Sequence, residues 1–196
     1  MSVTSWKTAG TVATALYDPL AAGAGDNWTS PTNAQGAANS SYATMVMATN
    51  PGQRYSLQAS NFGFTTGDIP SGATPLGIEF RVTRKNVMTG TRTVNDQYVF
   101  FVPAAGTLGQ GSNLADAADW ATSDEQKVYG GATSLAGQSW AAADFLDADF
   151  GIHLVPAISA TGAKGSTATA SVDSIESRVH YSAVGTKASP SSGVCG

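Results

Sequence analysis

The chain has 196 residues and is poor in charge: Asp, Glu, Lys and Arg make up only 12% of it, and the formal net charge is −4. This balance argues against nucleic-acid binding, because phosphate recognition needs clustered Lys and Arg. With 42% hydrophobic residues, a chain of this length can bury about 70% of its unfolded surface in a core of its own. The single cysteine, Cys195, allows no disulfide within the chain.

The sequence gives no sign of a membrane or secretory route. No apolar run approaches the roughly 20 residues that a spanning helix requires. Residues 1–10 (MSVTSWKTAG) lack the apolar core of a secretory signal. We therefore expect no membrane partner, and we expect assembly in a cytoplasm.

In chain order, the first short strands are predicted at residues 41–47 (SYATMVM) and 54–60 (RYSLQAS), with a turn at 48–53 between them. Residues 69–77 (IPSGATPLG) hold two prolines and two glycines. Proline presets a turn-like φ and glycine accepts a positive φ, so this segment is predicted to be a turn.

Longer strands are predicted after that turn. In residues 78–83 apolar and polar side chains alternate, which is typical of a half-buried antiparallel strand. Residues 93–103 are apolar on both faces, as in a strand that is central or covered on both sides. Alternation returns in residues 149–155 and 174–182.

Helix signals are few. Residues 113–121, with Asn113 as an N-cap, and residues 139–149 are each predicted to form one or two helical turns. Many short strands with turn residues between them predict an all-β fold, an antiparallel β-sandwich that is jelly-roll-like, with extended N- and C-terminal arms.

Three regions follow from this pattern. Residues 1–23 are predicted to be an N-terminal arm and the first strand, residues 24–182 the β-sandwich domain, and residues 183–196 a Ser/Gly/Pro-rich C-terminal arm. The arms carry no pattern that could fold alone, and ordering each residue costs about 1–2 kcal/mol of backbone entropy. We therefore expect the arms to contact neighbouring subunits, with Trp6 and Cys195 as the candidate contact residues.

Several phrases occur together in a familiar order: DNWTSPTNAQGAANSSYATMVM at 26–47, LQASNFGFTTGDIPSGATPLGIEFRVTRK at 57–85, DADFGIHL at 147–154 and TASVDSIESRVHYS at 169–182. Over residues 24–182 the chain resembles a β-sandwich module of tailed-bacteriophage structural proteins, found in head-decoration proteins and in tail or fibre proteins. These motifs are turns, buried aromatics and strand ends, and no catalytic residue accompanies them. The resemblance implies a component of the virion.

On that resemblance we expect a non-enzymatic capsid decoration (cement) protein that binds the outer surface of the head. Its partners would be other virion subunits, the major capsid protein or tail proteins, and it would form a homo-oligomer without any cofactor. Small size and low charge favour this role over a long fibre. The alternative is a tail or fibre module that binds a host-surface receptor or glycan.

Catalytic patterns find little support in the sequence. There is no G-x-S-x-G motif, and His153 and His180 occupy polar strand positions, as expected of ordinary face residues. Cys195 has no flanking His or Lys to stabilise a thiolate. Glu79 and Glu176 are predicted to pair across strands with an arginine, and Glu79 is expected to behave as a surface residue.

Two further interpretations remain open from the sequence. Clustered aspartates on loops could bind calcium, but they lack the EF-hand spacing, and aspartate is also common in turns and caps, so no metal site is predicted. These residues are Asp144, Asp147 and Asp149, and Asp116, Asp119, Asp124 and Glu125. Trp28, Trp120 and Trp140 lie near turns and are predicted to fill the core, with sugar stacking as the alternative.

Overall fold

The computed structural model describes residues 1–16, 26–48, 55–103, 111–158 and 166–183. It confirms the predicted all-β fold, with two antiparallel sheets packed face to face as a β-sandwich. The jelly-roll form of the sandwich stays a prediction. The strands are β1 (Ser2–Val3), β2 (Lys7–Thr8), β3 (Thr11–Leu16), β4 (Ala43–Met47), β5 (Tyr55–Ser60), β6 (Thr74–Thr89), β7 (Val94–Val102), β8 (Glu125–Gly131), β9 (Gly151–Ile158) and β10 (Thr167–Ser182).

The first sheet is built on β6 and β10, which are 16 residues each and pair antiparallel along their whole length. β8 adds to the other edge of β6. The second sheet has the order β3-β5-β9-β7. The predicted strands at 41–47 and 54–60 are confirmed as β4 and β5, and they belong to different sheets.

The free edge of β10 is filled by three short strands placed end to end. β4 pairs with residues 168–172, β2 with 176–177 and β1 with 180–181. Residues 1–10, which the sequence assigned to an extended arm, are therefore paired within their own chain. Two-residue strands leave no periodic pattern, which explains why β1 and β2 escaped sequence reasoning.

Phe80 lies at the centre of the core. Its ring contacts those of Phe62, Phe101 and Phe150 at centroid distances of 5.4, 4.8 and 5.5 Å. Such tilted and edge-to-face pairs suit the ring quadrupoles and add to the hydrophobic gain. The predicted phase of β6 is confirmed, since Ile78, Phe80 and Val82 are all fully buried.

β7 lies at the edge of the second sheet, so the prediction of a central strand is wrong. Residues 99–102 are buried on both faces, as the sequence predicted, whereas Tyr98 is exposed. A loop runs along the open side of β7: Leu114 N donates to Val99 O and Trp120 N donates to Val94 O, at 2.9 and 2.7 Å. The side chain of Asn113 donates to Gln97 O and accepts from Val99 N. The prediction of a helix at 113–121 is wrong, because these residues pair with the strand edge instead.

The remaining local predictions concern one helical region and two turns. Residues 142–146 form a 3₁₀ helix within the predicted helical region. Ala73 N donates to Pro70 O at 3.0 Å and Gly72 has φ +79°, so the predicted turn at 69–77 contains a β-turn with glycine in the left-handed position. The predicted turn at 48–53 lies outside the described residues for all but Ala48.

Replacing Phe80 with Ala should lower the free energy of unfolding by about 3–5 kcal/mol, because it removes a fully buried ring and leaves a cavity. Val128 on the exposed face of β8 is the control, and Val128→Ala should cost less than about 0.5 kcal/mol. Urea denaturation of both variants measures these values. Equal decreases in the free energy of unfolding would show that the core and outer faces of the first sheet are misassigned.

Candidate partner-contact surface

The outer face of the first sheet carries four charged side chains in a two-by-two ladder. Arg81 lies opposite Glu176, and Glu79 lies opposite Arg178. Arg81 donates to the Glu176 carboxylate from Nε at 2.7 Å, and Arg178 Nε donates to Glu79. The predicted cross-strand pairing of both glutamates is confirmed, and it accounts for them without a catalytic role.

Trp6 covers this ladder. Its ring lies 4.4 Å from the guanidinium carbon of Arg81 and 4.5 Å from that of Arg178. The two arginines occupy opposite corners of the ladder, so a single indole contacts both cations through its electron-rich face. In this chain Trp6 is therefore an intramolecular clamp, and its predicted contact with a neighbouring subunit stays a prediction.

Glu79 is the most enclosed member of the ladder, with only 9% of its surface exposed. Besides Arg178 it contacts His180, whose Nε2 lies 3.4 Å from the Glu79 carboxylate. The expectation that Glu79 behaves as a surface residue is therefore wrong, although its strand face was assigned correctly. Burial raises the pKa of Glu79, but bonding from Arg178 and His180 outweighs it, so the pKa lies below the ordinary 4.5.

The second candidate contact residue, Cys195, lies outside the described residues, as does the C-terminal arm beyond Ala183. The predicted contacts of Cys195 and of the C-terminal arm with neighbouring subunits therefore stay predictions.

His153 does not match the expectation of an ordinary face residue. It is on the outer face of the second sheet but only 1% exposed, and its Nδ1 lies 2.8 Å from Ser56 Oγ. Ser56 Oγ also lies 3.1 Å from Ala15 O, so the buried hydroxyl has a backbone carbonyl as well as the imidazole within hydrogen-bond distance. Burial lowers the pKa of His153 from 6.5 to about 4.

The aspartates considered for calcium serve turns and ion pairs. Asp144 accepts from Ala141 N and Asp147 from Asp149 N, each at 2.8 Å. Asp124 accepts from the Tyr42 hydroxyl and pairs with Lys85, while Asp116 pairs with Lys127. In the described ranges, no three His, Cys, Asp or Glu side chains are grouped so as to hold a metal ion.

The three tryptophans are buried, as predicted for core residues. Each indole N–H has an internal acceptor: Tyr55 O for Trp28, Asp96 for Trp120 and Leu135 O for Trp140. Trp140 also stacks on Phe145, with ring centroids 5.5 Å apart. It lines one side of a groove of about 500 Å³ between the turn containing Ser71–Pro75 and the segment Trp140–Ala143.

Sequence reasoning missed a buried polar cluster around Arg84. The guanidinium is only 2% exposed and lies 2.7 Å from Asp96, with Glu125 2.9 Å from its Nε. Asp96 also accepts from Trp120 Nε1 at 2.8 Å and the Tyr129 hydroxyl at 2.9 Å. Burial, followed by the Asp96 charge, raises the pKa of Tyr129 well above its ordinary value.

Arg84 could have been recognised from its position. It continues the even-numbered series of Ile78, Phe80 and Val82, so the strand pattern places a charge on the core face. A buried arginine needs an acidic partner and several acceptors.

Comparisons of the chain with protein-family models, with curated proteins and with solved structures found no match. Among the described residues, no helix has the length and apolar character needed to cross a membrane.

Asp96→Ala should lower the free energy of unfolding by about 3–5 kcal/mol, because it removes the buried one of the two carboxylates that pair with Arg84 and leaves Trp120 Nε1 without its acceptor. Lys127→Ala breaks the more exposed pair with Asp116 and should cost less than about 1 kcal/mol. Chemical denaturation at neutral pH measures both. If the two losses were alike, the Arg84 cluster would contribute no more than a surface pair.

The stabilisation contributed by the Glu79 carboxylate should depend on pH. Because the folded-state pKa lies below 4.5, this stabilisation is present above that pH and is lost as the pH falls through the folded-state pKa. Glu79→Gln should therefore be less stable than the parent chain by about 1–3 kcal/mol at pH 7. The difference should shrink in unfolding experiments below pH 4.5. A constant difference would assign the effect to packing.

Proposed function

We propose that the protein is a non-enzymatic structural protein of a tailed-bacteriophage virion, a decoration protein bound to the outer surface of the head. The resemblance over residues 24–182 supports the virion assignment. The observation that carries the non-enzymatic part is the use of reactive side chains in internal pairs. His153 and Ser56 are hydrogen-bonded to each other and buried, and both ladder glutamates bind arginines.

The exposed part of the first sheet offers a surface for protein contact. Val46 and Val87 flank Thr169 on its outer face, on three neighbouring strands. Both valines are at least half exposed. Adjacent exposed apolar side chains suit a contact with another subunit, since burying them removes apolar surface from water. A protein bound in this way stabilises a shell because it binds only the assembled state.

The groove beside Trp140 favours a second function, a tail or fibre module that binds a neutral host-surface glycan. Its lining contains no charged residue and includes Thr66, Ser71 and Thr74 beside Trp140. Hydroxyls beside an aromatic ring suit a sugar. Trp140 is nearly buried and its other face stacks on Phe145, which limits its use as a platform.

Copy number in purified virus particles tests the proposal. A decoration protein on symmetry-related head sites should be present in on the order of hundreds of copies, whereas a tail or fibre protein is present in a few tens or fewer. Quantitative gel staining against the major capsid protein measures the ratio. Absence from the particles would reject both virion roles.

A glycan array tests the second function on the isolated protein. Ala143→Trp would fill the groove. The control is Val46→Ala, on the outer face of the first sheet, which leaves the groove unchanged. Binding that is lost only in Ala143→Trp would support the glycan module. Binding retained in both variants would exclude the groove as its site.

A further inference from the structure

Residues 1–8, here called the N-terminal segment, lie on β10 as an extended peptide. The strands β1 and β2 belong to this segment, and two further backbone bonds extend the pairing: Thr4 N donates to Val179 O and Ala9 N donates to Ile175 O, each at 3.0 Å. This is the geometry of strand addition, in which main-chain bonds hold a peptide on a sheet edge.

Side chains give this contact its selectivity. Trp6 lies over Arg81 and Arg178, and Lys7 Nζ pairs with Asp68 Oδ1 at 3.0 Å. All three receiving residues belong to the sandwich. One aromatic anchor and one ion pair, arranged along an extended backbone, are the features of a peptide and its binding site.

The N-terminal segment contributes nothing to the apolar core. The buried apolar cluster begins at Ala9, and Met1 is 72% exposed. The chain is held again at Gly10, whose N–H donates to Asn61 O at 3.0 Å. Detaching residues 1–8 would therefore open an edge of β10 and uncover the arginine ladder, while the contact between the two sheets would remain intact.

We propose that the edge of β10 is a strand-accepting site whose ligand is the N-terminal segment of a second copy of this chain. Exchange conserves the contacts of residues 1–8, because the same residues meet the same site in either arrangement. The backbone bonds of the hinge, Ala9 N to Ile175 O and Gly10 N to Asn61 O, have to rearrange for the segment to reach a second copy. The segment of a second copy competes with the chain's own segment for the edge of β10. The exchanged fraction should therefore increase as the concentration of the protein rises. Neighbours held at roughly millimolar effective concentration meet that condition. The proposal does not rest on the virion role, since the isolated protein either exchanges or does not.

Disulfide formation between two engineered cysteines detects the exchange directly. Val3 and His180 are register partners, and they form a non-hydrogen-bonded pair because the next pair is joined by Thr4 N to Val179 O. Such pairs have Cα atoms about 4.5 Å apart, within disulfide range. Val3→Cys with His180→Cys, made in a Cys195→Ser background, is oxidised at rising protein concentration. Mixed isotope-labelled and unlabelled chains are then separated without reductant and identified by mass spectrometry.

We expect disulfides between labelled and unlabelled chains, joining residues 3 and 180, in a share that rises with concentration. The control pairs Val3→Cys with Val128→Cys, an exposed position on β8, and should give at least about tenfold fewer defined dimers. Only intrachain disulfides at every concentration would overturn the proposal. So would equal dimer yields in the control, or no disulfide at all.

A peptide experiment checks the site separately. A chain beginning at Ala9 is titrated with a synthetic peptide of residues 1–8, and binding is followed by calorimetry. The peptide should bind, and its Trp6→Ala form should bind at least about tenfold more weakly. No binding by a chain that melts cooperatively, or equal binding of both peptides, would show that the edge of β10 does not select this segment.

Discussion

The pairing of β6 with β10 is the constraint on which the rest of the structure depends. These two 16-residue strands form the centre of the first sheet, and β8, β4, β2 and β1 all attach to one or the other. One face of the pair supplies core residues such as Phe80 and Ile175, and the other carries the charged ladder. The register is interrupted beside Asp173, whose carboxylate accepts from Asn39 N and Ser40 N and so holds a loop against the strand. Because a shift of one residue would exchange the two faces, the hydrophobic pattern fixes this register strongly.

The core face of the same pair changes character along its length. Apolar packing at Phe80 gives way to the ion pair of Arg84 with Asp96, which also binds Trp120 and Tyr129. Such a cluster is costly to bury and gives little net stability compared with apolar packing. What it supplies here is geometry: Asp96 on β7 receives donors from the first sheet and from the loop that covers the β7 edge. The cluster therefore joins the two sheets and positions that loop with directional bonds.

Sequence reasoning succeeded where one strand carried its own pattern. Alternation located β6, β9 and β10 and predicted the glutamate–arginine pairs, because a period of two assigns each residue to a face. It failed at residues 113–121, where Asn113 bonds to β7 instead of capping a helix. Asparagine side chains compete with helix formation in this way, but their partner on a distant strand cannot be read locally. The clamp on Trp6 was missed for the same reason, since its two arginines come from different strands.

Several short strands attach to the long strand β10, and not all of them are needed for the sandwich to fold. The apolar core begins at Ala9, so a sandwich built from the later residues can be complete before the N-terminal segment is placed. That segment is held by main-chain bonds and by Trp6, both of which can be supplied by any chain that presents the same residues. Each arginine beneath Trp6 is paired with a glutamate of the ladder. An edge whose charges are already neutralised avoids most of the desolvation cost that bare arginines would impose on an incoming strand. The ladder thus prepares the edge of β10 for a peptide, and Trp6 selects which peptide occupies it.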